Sequence, residues 1–454
     1  MIPFPIKFEN RVKNDLFLGE ELLMALKTET PTSVRLNPNK AKPNLPFQKE
    51  IDWCQNGYYL TERPSFTLDP LFHAGTYYPQ EAGSMVLDSI LRQLDLPEQP
   101  KILDLCAAPG GKSTLIASFL NNKGMLVSNE VINSRAKILR ENLSKWGHTN
   151  VVVTNNDPEH FEKIPNFFDT IVVDAPCSGE GMFRKDPNAR TEWTEDNVQL
   201  CAARQKRIVM DVWDSLKAGG YLIYSTCTFN EDENENNVEW LLNNLEAEIV
   251  SVELKEPIQK DRIQKGFYCI PGKTATEGFY IAVFQKIGNG NENKKNKFIR
   301  NNDLKLQKDL LDCSKFAKLE TCNIFNWNDK LLAFPKDFTN EFLHLQANLH
   351  IIKMGTNIGE ISRKGIIPHE ELAFNPFLRI SEKINSINLE KDLALKYLHG
   401  DTFSINGAMG FQLITFEKEP LGWIKNIGNR FNNLYPKEWR IRMNVDFGSA
   451  QSTK

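Results

Sequence analysis

Two cysteines, Cys177 and Cys227, are the side chains of this 454-residue chain best suited to covalent chemistry, and they stand 50 residues apart. Cys177 lies in Asp174-Ala175-Pro176-Cys177-Ser178-Gly179 and Cys227 in Tyr224-Ser225-Thr226-Cys227-Thr228. Each follows an apolar run of strand type, Asp169-Thr170-Ile171-Val172-Val173 in one case and Tyr221-Leu222-Ile223-Tyr224 in the other. In a parallel sheet both thiols then occupy loops on the carboxyl rim, where chemistry concentrates rather than packing. Paired thiols there suit a transferase acting on an unreactive carbon, because a thiolate that adds to the carbon skeleton splits one hard step into easier ones. A free cysteine titrates near ~8.5, so the attacking thiol needs help to ionise; Lys112 and helix N-termini at the rim are candidates. Chemistry alone leaves open which cysteine attacks.

A reactive thiol needs a partner molecule, and the stretch Lys101-Ile102-Leu103-Asp104-Leu105-Cys106-Ala107-Ala108-Pro109-Gly110-Gly111-Lys112-Ser113 supplies its cradle. A short apolar strand runs into a Pro-Gly-Gly turn and then a helix. The glycines permit close backbone approach to a ligand, and the new helix points free N–H groups at it. Two ligands compete for this turn. Cys106-x-x-x-x-Gly111-Lys112-Ser113 matches a phosphate-cradling P-loop except at its first position, where Cys106 replaces the glycine that the turn requires. A nucleoside cofactor fits better, because Glu130, Asp157 and Asp174 stand at three successive strand ends. Glu130 suits a ribose diol and Asp157 the adenine end. The cofactor-binding set is therefore Cys106, Ala107, Ala108, Pro109, Gly110, Gly111, Lys112, Glu130, Asp157 and Asp174. No metal site is expected.

The elements that must hold these residues follow from periodicity. Apolar runs at 101–105, 125–129, 151–154, 169–173 and 221–226 alternate with helical patterns over 134–146 and 195–217, the last closed by Ala218-Gly219-Gly220 as a C-cap. That alternation predicts an α/β, doubly wound, mostly parallel sheet. Residues 1–83 read as a small N-terminal α+β module whose many aromatics belong to a core. Residues 84–288 form the catalytic domain, 289–300 a polar linker, and 301–454 a C-terminal region of short strands and turns. The net charge of −3 conceals an asymmetry: from Asn289 onward there are 24 Lys and Arg against 19 Asp and Glu. Between Lys425 and Arg442 five cations face one anion, interleaved with Trp and Tyr, as phosphate contacts with base stacking would require. Arg184 and Lys185, just past Cys177, are further candidates to meet phosphates. The eight cysteines are scattered without a Cys-x-x-Cys pair, so neither a disulfide framework nor a zinc knuckle is indicated. The N-terminus lacks the pattern of a signal peptide and no apolar run is long enough to span a membrane, so a cytoplasmic protein is expected.

Three motifs taken together resemble one family. Asp-Leu-Cys-Ala-Ala-Pro-Gly-Gly-Lys-Ser at 104–113, Asp-Ala-Pro-Cys-Ser-Gly-Glu-Gly at 174–181 and Tyr-Ser-Thr-Cys-Thr at 224–228 look like those of the RsmB/NOP (Sun/Fmu-type) RNA cytosine-5 methyltransferases. Outside them, Ser33–Pro38, Gly57–Leu60 and the Gly422–Arg442 ending resemble the RsmF branch, which acts on 16S ribosomal RNA. One departure is Tyr78-Pro79-Gln80-Glu81-Ala82-Gly83-Ser84, where members usually carry an aliphatic residue at 79 and Ser at 83. The resemblance implies a Rossmann-like class I fold with a C-terminal PUA-like RNA-binding region, S-adenosylmethionine as methyl donor, and RNA as partner. It further implies Cys227 as nucleophile, Cys177 as an aid to release, and Asp174 on the target base. Transfer RNA as substrate, an ATP-driven P-loop enzyme and a catalytically silent assembly factor are the competing functions; one self-contained site suggests a monomer.

Overall fold

The structure is a computed structural model that describes residues 2–288, 305–306 and 313–443; the segment 289–300 expected to be a linker lies outside them. A ten-stranded sheet forms its centre. Five neighbouring strands are parallel, in the spatial order Leu216–Thr226, Phe168–Asp174, Lys101–Asp104, Met125–Asn129, Val151–Thr154. These segments are rich in Val, Ile and Leu, and all of Val151–Thr154 and Met125–Asn129 is buried, as a sheet covered on both faces demands. Chain order reverses between Lys101–Asp104 and Phe168–Asp174, which lie side by side. At that switch point the loops leave in opposite directions and open a crevice at the carboxyl ends.

Leu115, Ile116, Leu139 and Leu143 of the helices Gly111–Leu120 and Asn133–Trp146 pack with Ile102, Leu126 and Val153 on one face. On the other face, Ile208, Val209 and Val212 of the helix Glu195–Trp213 meet Leu103, Val127 and Ile171, together with Phe8, Val12 and Leu22 from the N-terminal helices. The Glu195 helix begins where Thr194 accepts the Asn197 N–H through its hydroxyl at 3.0 Å, an N-cap. Its end differs from the expectation. The helix stops at Trp213, and Ala218-Gly219-Gly220 already belongs to the strand Leu216–Thr226. Leu216 pairs with Phe168 while Tyr221 pairs with Thr170, so the residues between them bulge out of the ladder. The glycine pair serves this bulge: a Cβ on Gly220 would lie 2.8 Å from Leu216 Cδ1.

Both edges of the sheet are extended by antiparallel strands. Phe279–Lys286 adds beside Leu216–Thr226, and Ile351–Met354, from the C-terminal region, adds beside Val151–Thr154. The two ends of the chain also share one core. Val34, Leu36, Leu60 and Tyr77 of the N-terminal four-stranded sheet pack with Leu395, Tyr397, Leu421 and Trp439. This packing corrects one expectation: Trp423, Tyr435 and Trp439 are 0%, 1% and 5% exposed, so their rings are core rather than platforms for bases. Their alternation with charged residues reflects a strand and turns buried on one side. Among the described residues no helix is long and apolar enough to cross a membrane, and no group of three His, Cys, Asp or Glu is placed to hold a metal.

Candidate active site

The crevice at the switch point holds a cavity of about 390 Å3. Cys106, Ala107, Ala108, Pro109, Gly111, Lys112, Asp174 and Cys227 line it, as the sequence suggested. Gly110, Glu130, Asp157 and Cys177 do not reach its wall. Glu130 is buried instead beside the cradle, accepting the Ile132 N–H at 3.0 Å and facing Arg135 at 3.6 Å. Arg135 in turn donates to the Ala108 carbonyl at 2.7 Å, and Asn142 to that of Pro109 at 2.8 Å. The helix Asn133–Trp146 thus holds the turn from outside. Asp157 caps a short helical segment by accepting from Glu159 N–H at 3.3 Å and stands 3.8 Å from Arg207. Beneath the turn, Asp104 is fully buried and accepts from the Ser113 hydroxyl at 2.6 Å; burial pushes its carboxyl up to about 7.

Lys112 and Asp174 face each other at 2.8 Å across the cavity, and Ser225 donates to the other Asp174 oxygen at 2.9 Å. Burial favours the neutral form of Lys112, but the Asp174 carboxylate outweighs it and holds the lysine above its ordinary value. The lysine also lies 4.9 Å over the Phe279 ring.

The two cysteines meet. Their sulfur atoms are 3.1 Å apart, both thiols are free, and the Cys227 N–H donates to the Cys177 sulfur at 3.3 Å. The hydrogen bond with Cys227, together with burial, pushes the Cys177 thiol well above its ordinary value. Cys106 is raised too, by burial and by Asp174, so it stays a thiol. The loops that carry the pair are bound together closely. Gly181 N–H donates to the Cys227 carbonyl at 2.8 Å, and a Cβ on Gly181 would fall 2.8 Å from that oxygen and from the Gly278 carbonyl. Next to it, the fully buried Glu180 takes both carboxylate bonds from Arg11 at 2.6 Å, one from Trp193 at 3.0 Å and one from Phe229 N–H at 3.2 Å. The Ser178 and Thr228 hydroxyls meet at 3.0 Å.

Several lining residues were not singled out from sequence. Tyr78, Gln80, Glu81 and Ser84 come from the turn at 78–84 that departs from the family pattern, and Glu277 and Phe279 from the start of the added edge strand. Glu81 accepts from the N–H groups of Gly83, Ser84 and Glu277 at 2.7–2.8 Å, which anchors the edge strand to the turn. Neither carboxylate oxygen of buried Glu277 completes a hydrogen bond within the described residues. No short motif marked these positions; only pairing of distant strands brings them in. Of the two cations after Cys177, Lys185 lines the cavity, whereas Arg184 donates to Thr28, Glu29 and Thr276 and ties the N-terminal segment to the site. An apolar wall of Pro109, Met182 and Phe279 combined with the carboxylates of Asp174, Glu81 and Glu277 suits a nucleoside that carries positive charge.

The chain is similar to known methyltransferases. The model of the 16S rRNA methyltransferase RsmB/F family matches residues 91–285, that of the RsmF N-terminal domain residues 4–82, and that of the RsmF PUA domain residues 384–441. The chain is 31% identical over 407 residues to ribosomal RNA small subunit methyltransferase F of Escherichia coli O1:K1 / APEC, spanning 86% of this chain and 84% of that protein. To the protein of that name from Shigella boydii serotype 4 (strain Sb227) it is 30% identical over the same shares. A solved methyltransferase homolog protein from Pyrococcus horikoshii is similar over 63% of this chain and 96% of its own, with 29% identity and a TM-score of 0.54.

Proposed function

The chain belongs to the 16S rRNA methyltransferase RsmB/F family, with a Rossmann-like methyltransferase core and a C-terminal PUA domain, and from that premise we propose that it methylates carbon 5 of a cytosine in ribosomal RNA, 16S rRNA of the small subunit being the favoured substrate. The observation that carries the reading is the 3.1 Å approach of Cys177 and Cys227 beside Lys112 and Asp174 at the switch point. S-adenosylmethionine would be held by residues 106–112 and Asp174, with Glu130 and Asp157 at the ends of the two next strands, and would supply a methyl group on a positively charged sulfur. One self-contained site accords with a monomer acting on RNA, with the PUA domain as a second contact.

The work of the chain's own residues is as follows. Carbon 5 of cytosine is too weak a nucleophile by itself. Cys227 adds as thiolate to carbon 6, forming a C–S bond and leaving an enamine-like ring whose carbon 5 is electron-rich. Cys177 is kept protonated by its burial and its bond to Cys227, so its S–H is the donor toward the Cys227 sulfur whenever that sulfur carries charge. Asp174, oriented by Lys112 and Ser225, accepts a hydrogen bond from the exocyclic amino group of cytosine, which a uracil lacks. After methylation the carbon 5 proton passes to solvent water, its bonding pair restores the ring double bond, and the C–S pair returns to Cys227. The Cys177 S–H stabilises that departing thiolate. Cys227 is the nucleophile and Cys177 the release aid.

The test uses purified protein with S-adenosylmethionine and unmethylated ribosomal RNA, with 5-methylcytosine mapped by bisulfite sequencing. Cys177→Ala should accumulate a protein–RNA adduct that survives denaturation, while Cys227→Ala forms none. The reverse pattern exchanges the two roles, and absence of 5-methylcytosine refutes the activity.

A further inference from the structure

Behind the Cys177 loop lies a carboxylate that this chemistry does not use. Glu233 is fully buried, six residues after Cys227 in the segment that leaves the nucleophile. Its Oε2 accepts the Ser178 N–H at 2.9 Å and the Gln205 side-chain amide at 2.8 Å. The same Gln205 nitrogen donates to the Pro176 carbonyl at 3.0 Å. Backbone groups on either side of Cys177 are therefore tied to Glu233, Ser178 directly and Pro176 through Gln205. Gln205 is held in this orientation by Asn237, whose amide donates to Gln205 Oε1 at 2.7 Å. The single Tyr224 hydroxyl proton serves the Glu233 carbonyl at 2.6 Å, with Gln205 Oε1 at 2.9 Å from the same oxygen.

This arrangement is costly as plain scaffolding. The second Glu233 oxygen, Oε1, is buried without a hydrogen-bond partner among the described residues, and burial pushes the carboxyl up to about 7. What the carboxylate contributes is one acceptor bond to the loop whose sulfur must sit against another sulfur, and a second to the Gln205 amide that holds the same loop at Pro176. We propose that Glu233 is the positioning residue for the release thiol, holding Cys177 at the separation where its S–H can stabilise the departing Cys227 sulfur. The inference rests on Cys177 acting in release, as proposed above. Glu233 touches no reacting atom; it acts through Ser178, Gln205 and the Cys177 backbone.

The experiment is Glu233→Leu in the full-length protein, assayed on the same ribosomal RNA, with Glu233→Gln as the conservative control. Glu233→Leu removes both bonds made at Oε2 at similar volume, whereas Glu233→Gln can keep its carbonyl oxygen at that position, with its N–H2 at the Oε1 position, and should release as wild type does. Displacement of a reacting group by about 1 Å costs about a hundredfold, so steady-state turnover of Glu233→Leu should fall by about tenfold to a hundredfold. The covalent adduct should accumulate as it does with Cys177→Ala. Methyl groups transferred in the first turnover should stay within about threefold of wild type, since attack by Cys227 precedes release. That first-turnover yield also reports that the site is folded, and an effect confined to folding would lower it in step with turnover. Wild-type release by Glu233→Leu, or equal loss of first-turnover and steady-state methylation, overturns the inference. Adduct with Cys177→Ala but none with Glu233→Leu refutes the role of Glu233 alone, whereas no adduct with Cys177→Ala refutes the reading of Cys177 on which it rests.

Discussion

Arg35 offers the sharpest test of how the N-terminal module supports the cofactor turn. It sits on the strand Ser33–Leu36 with only 2% of its surface exposed. Its guanidinium lies 4.7 Å over the Trp146 ring and donates to Gln80 at 3.0 Å, Thr114 at 2.5 Å and the Gly111 carbonyl at 3.3 Å. Gln80 and Gly111 both line the cavity, so one side chain braces the turn from behind. Replacement by Met keeps the length and removes the fork. Two good charge-assisted bonds contribute about 3–6 kcal/mol and the stacked cation about 1–2 kcal/mol. Against this, burial depresses the guanidinium to about 10, so a neutral side chain recovers roughly 3 kcal/mol of desolvation. The balance is a loss of about 3 kcal/mol for Arg35→Met, read from urea denaturation. Calorimetric titration with a nonreactive S-adenosylmethionine analogue should show binding weakened about fivefold to tenfold, while turnover at saturation falls less, because the thiols are untouched. Arg35→Lys keeps the charge but not the planar fork and should recover little of either. A destabilisation below about 1 kcal/mol, or full recovery by Lys, would refute the bracing role.

Three further outcomes follow from the same structure. The folded state keeps the Asp104 proton up to about pH 7 while the unfolded chain releases it near 3.8, so the stability this group contributes is present in acid and lost as pH rises through about 7; Asp104→Asn should be more stable than wild type by on the order of 2–4 kcal/mol at pH 8.5, with the gap closing toward pH 4, and a pH-independent gap in urea denaturation counts against it. Buried Glu371 bonds Lys353 at 2.6 Å and Ser144 at 2.9 Å, and although burial opposes ionisation, Lys353 and His369 bring it down to about 2; its stabilisation holds above about pH 4.5 and fades as pH falls toward 2, so Glu371→Gln should cost about 3–5 kcal/mol at pH 7 and progressively less in acid, and a cost that grows on acidification would be the wrong sign. Gly181→Ala places a Cβ 2.8 Å from the Cys227 and Gly278 carbonyls, so turnover should drop by about a hundredfold with a smaller change in melting temperature, and unaltered kinetics would show that the loops have slack.

The chemistry of this protein is largely written in short segments because strand, loop and thiol are neighbours in sequence. The runs at 101–105, 169–173 and 221–226 identify themselves by β-branched, apolar composition, and a parallel sheet necessarily sends Cys106, Cys177 and Cys227 to the same rim. The glycine pair at 219–220 misled for a local reason: it signals a break equally well at a helix end and in a bulge, and only the pairing of Phe168 and Thr170 with residues on either side decides between them. The aromatics between Trp423 and Trp439 have the composition of a stacking surface, yet burial depends on what covers them.

What the sequence determined without help is therefore the order and type of the central elements, the cradle at 106–112 and the presence of two rim thiols, since those depend on local conformational preference and on spacing along the chain. The tertiary structure alone decided that the thiols stand 3.1 Å apart, that Lys112 is spent on Asp174, that Arg35 reaches across to the cofactor turn, and that Glu233 clamps the loop of the other cysteine. Each of these is a contact between residues about 50 or more apart in sequence, or one that passes through such a partner. Their distances are set by sheet pairing and core packing, which no local pattern encodes.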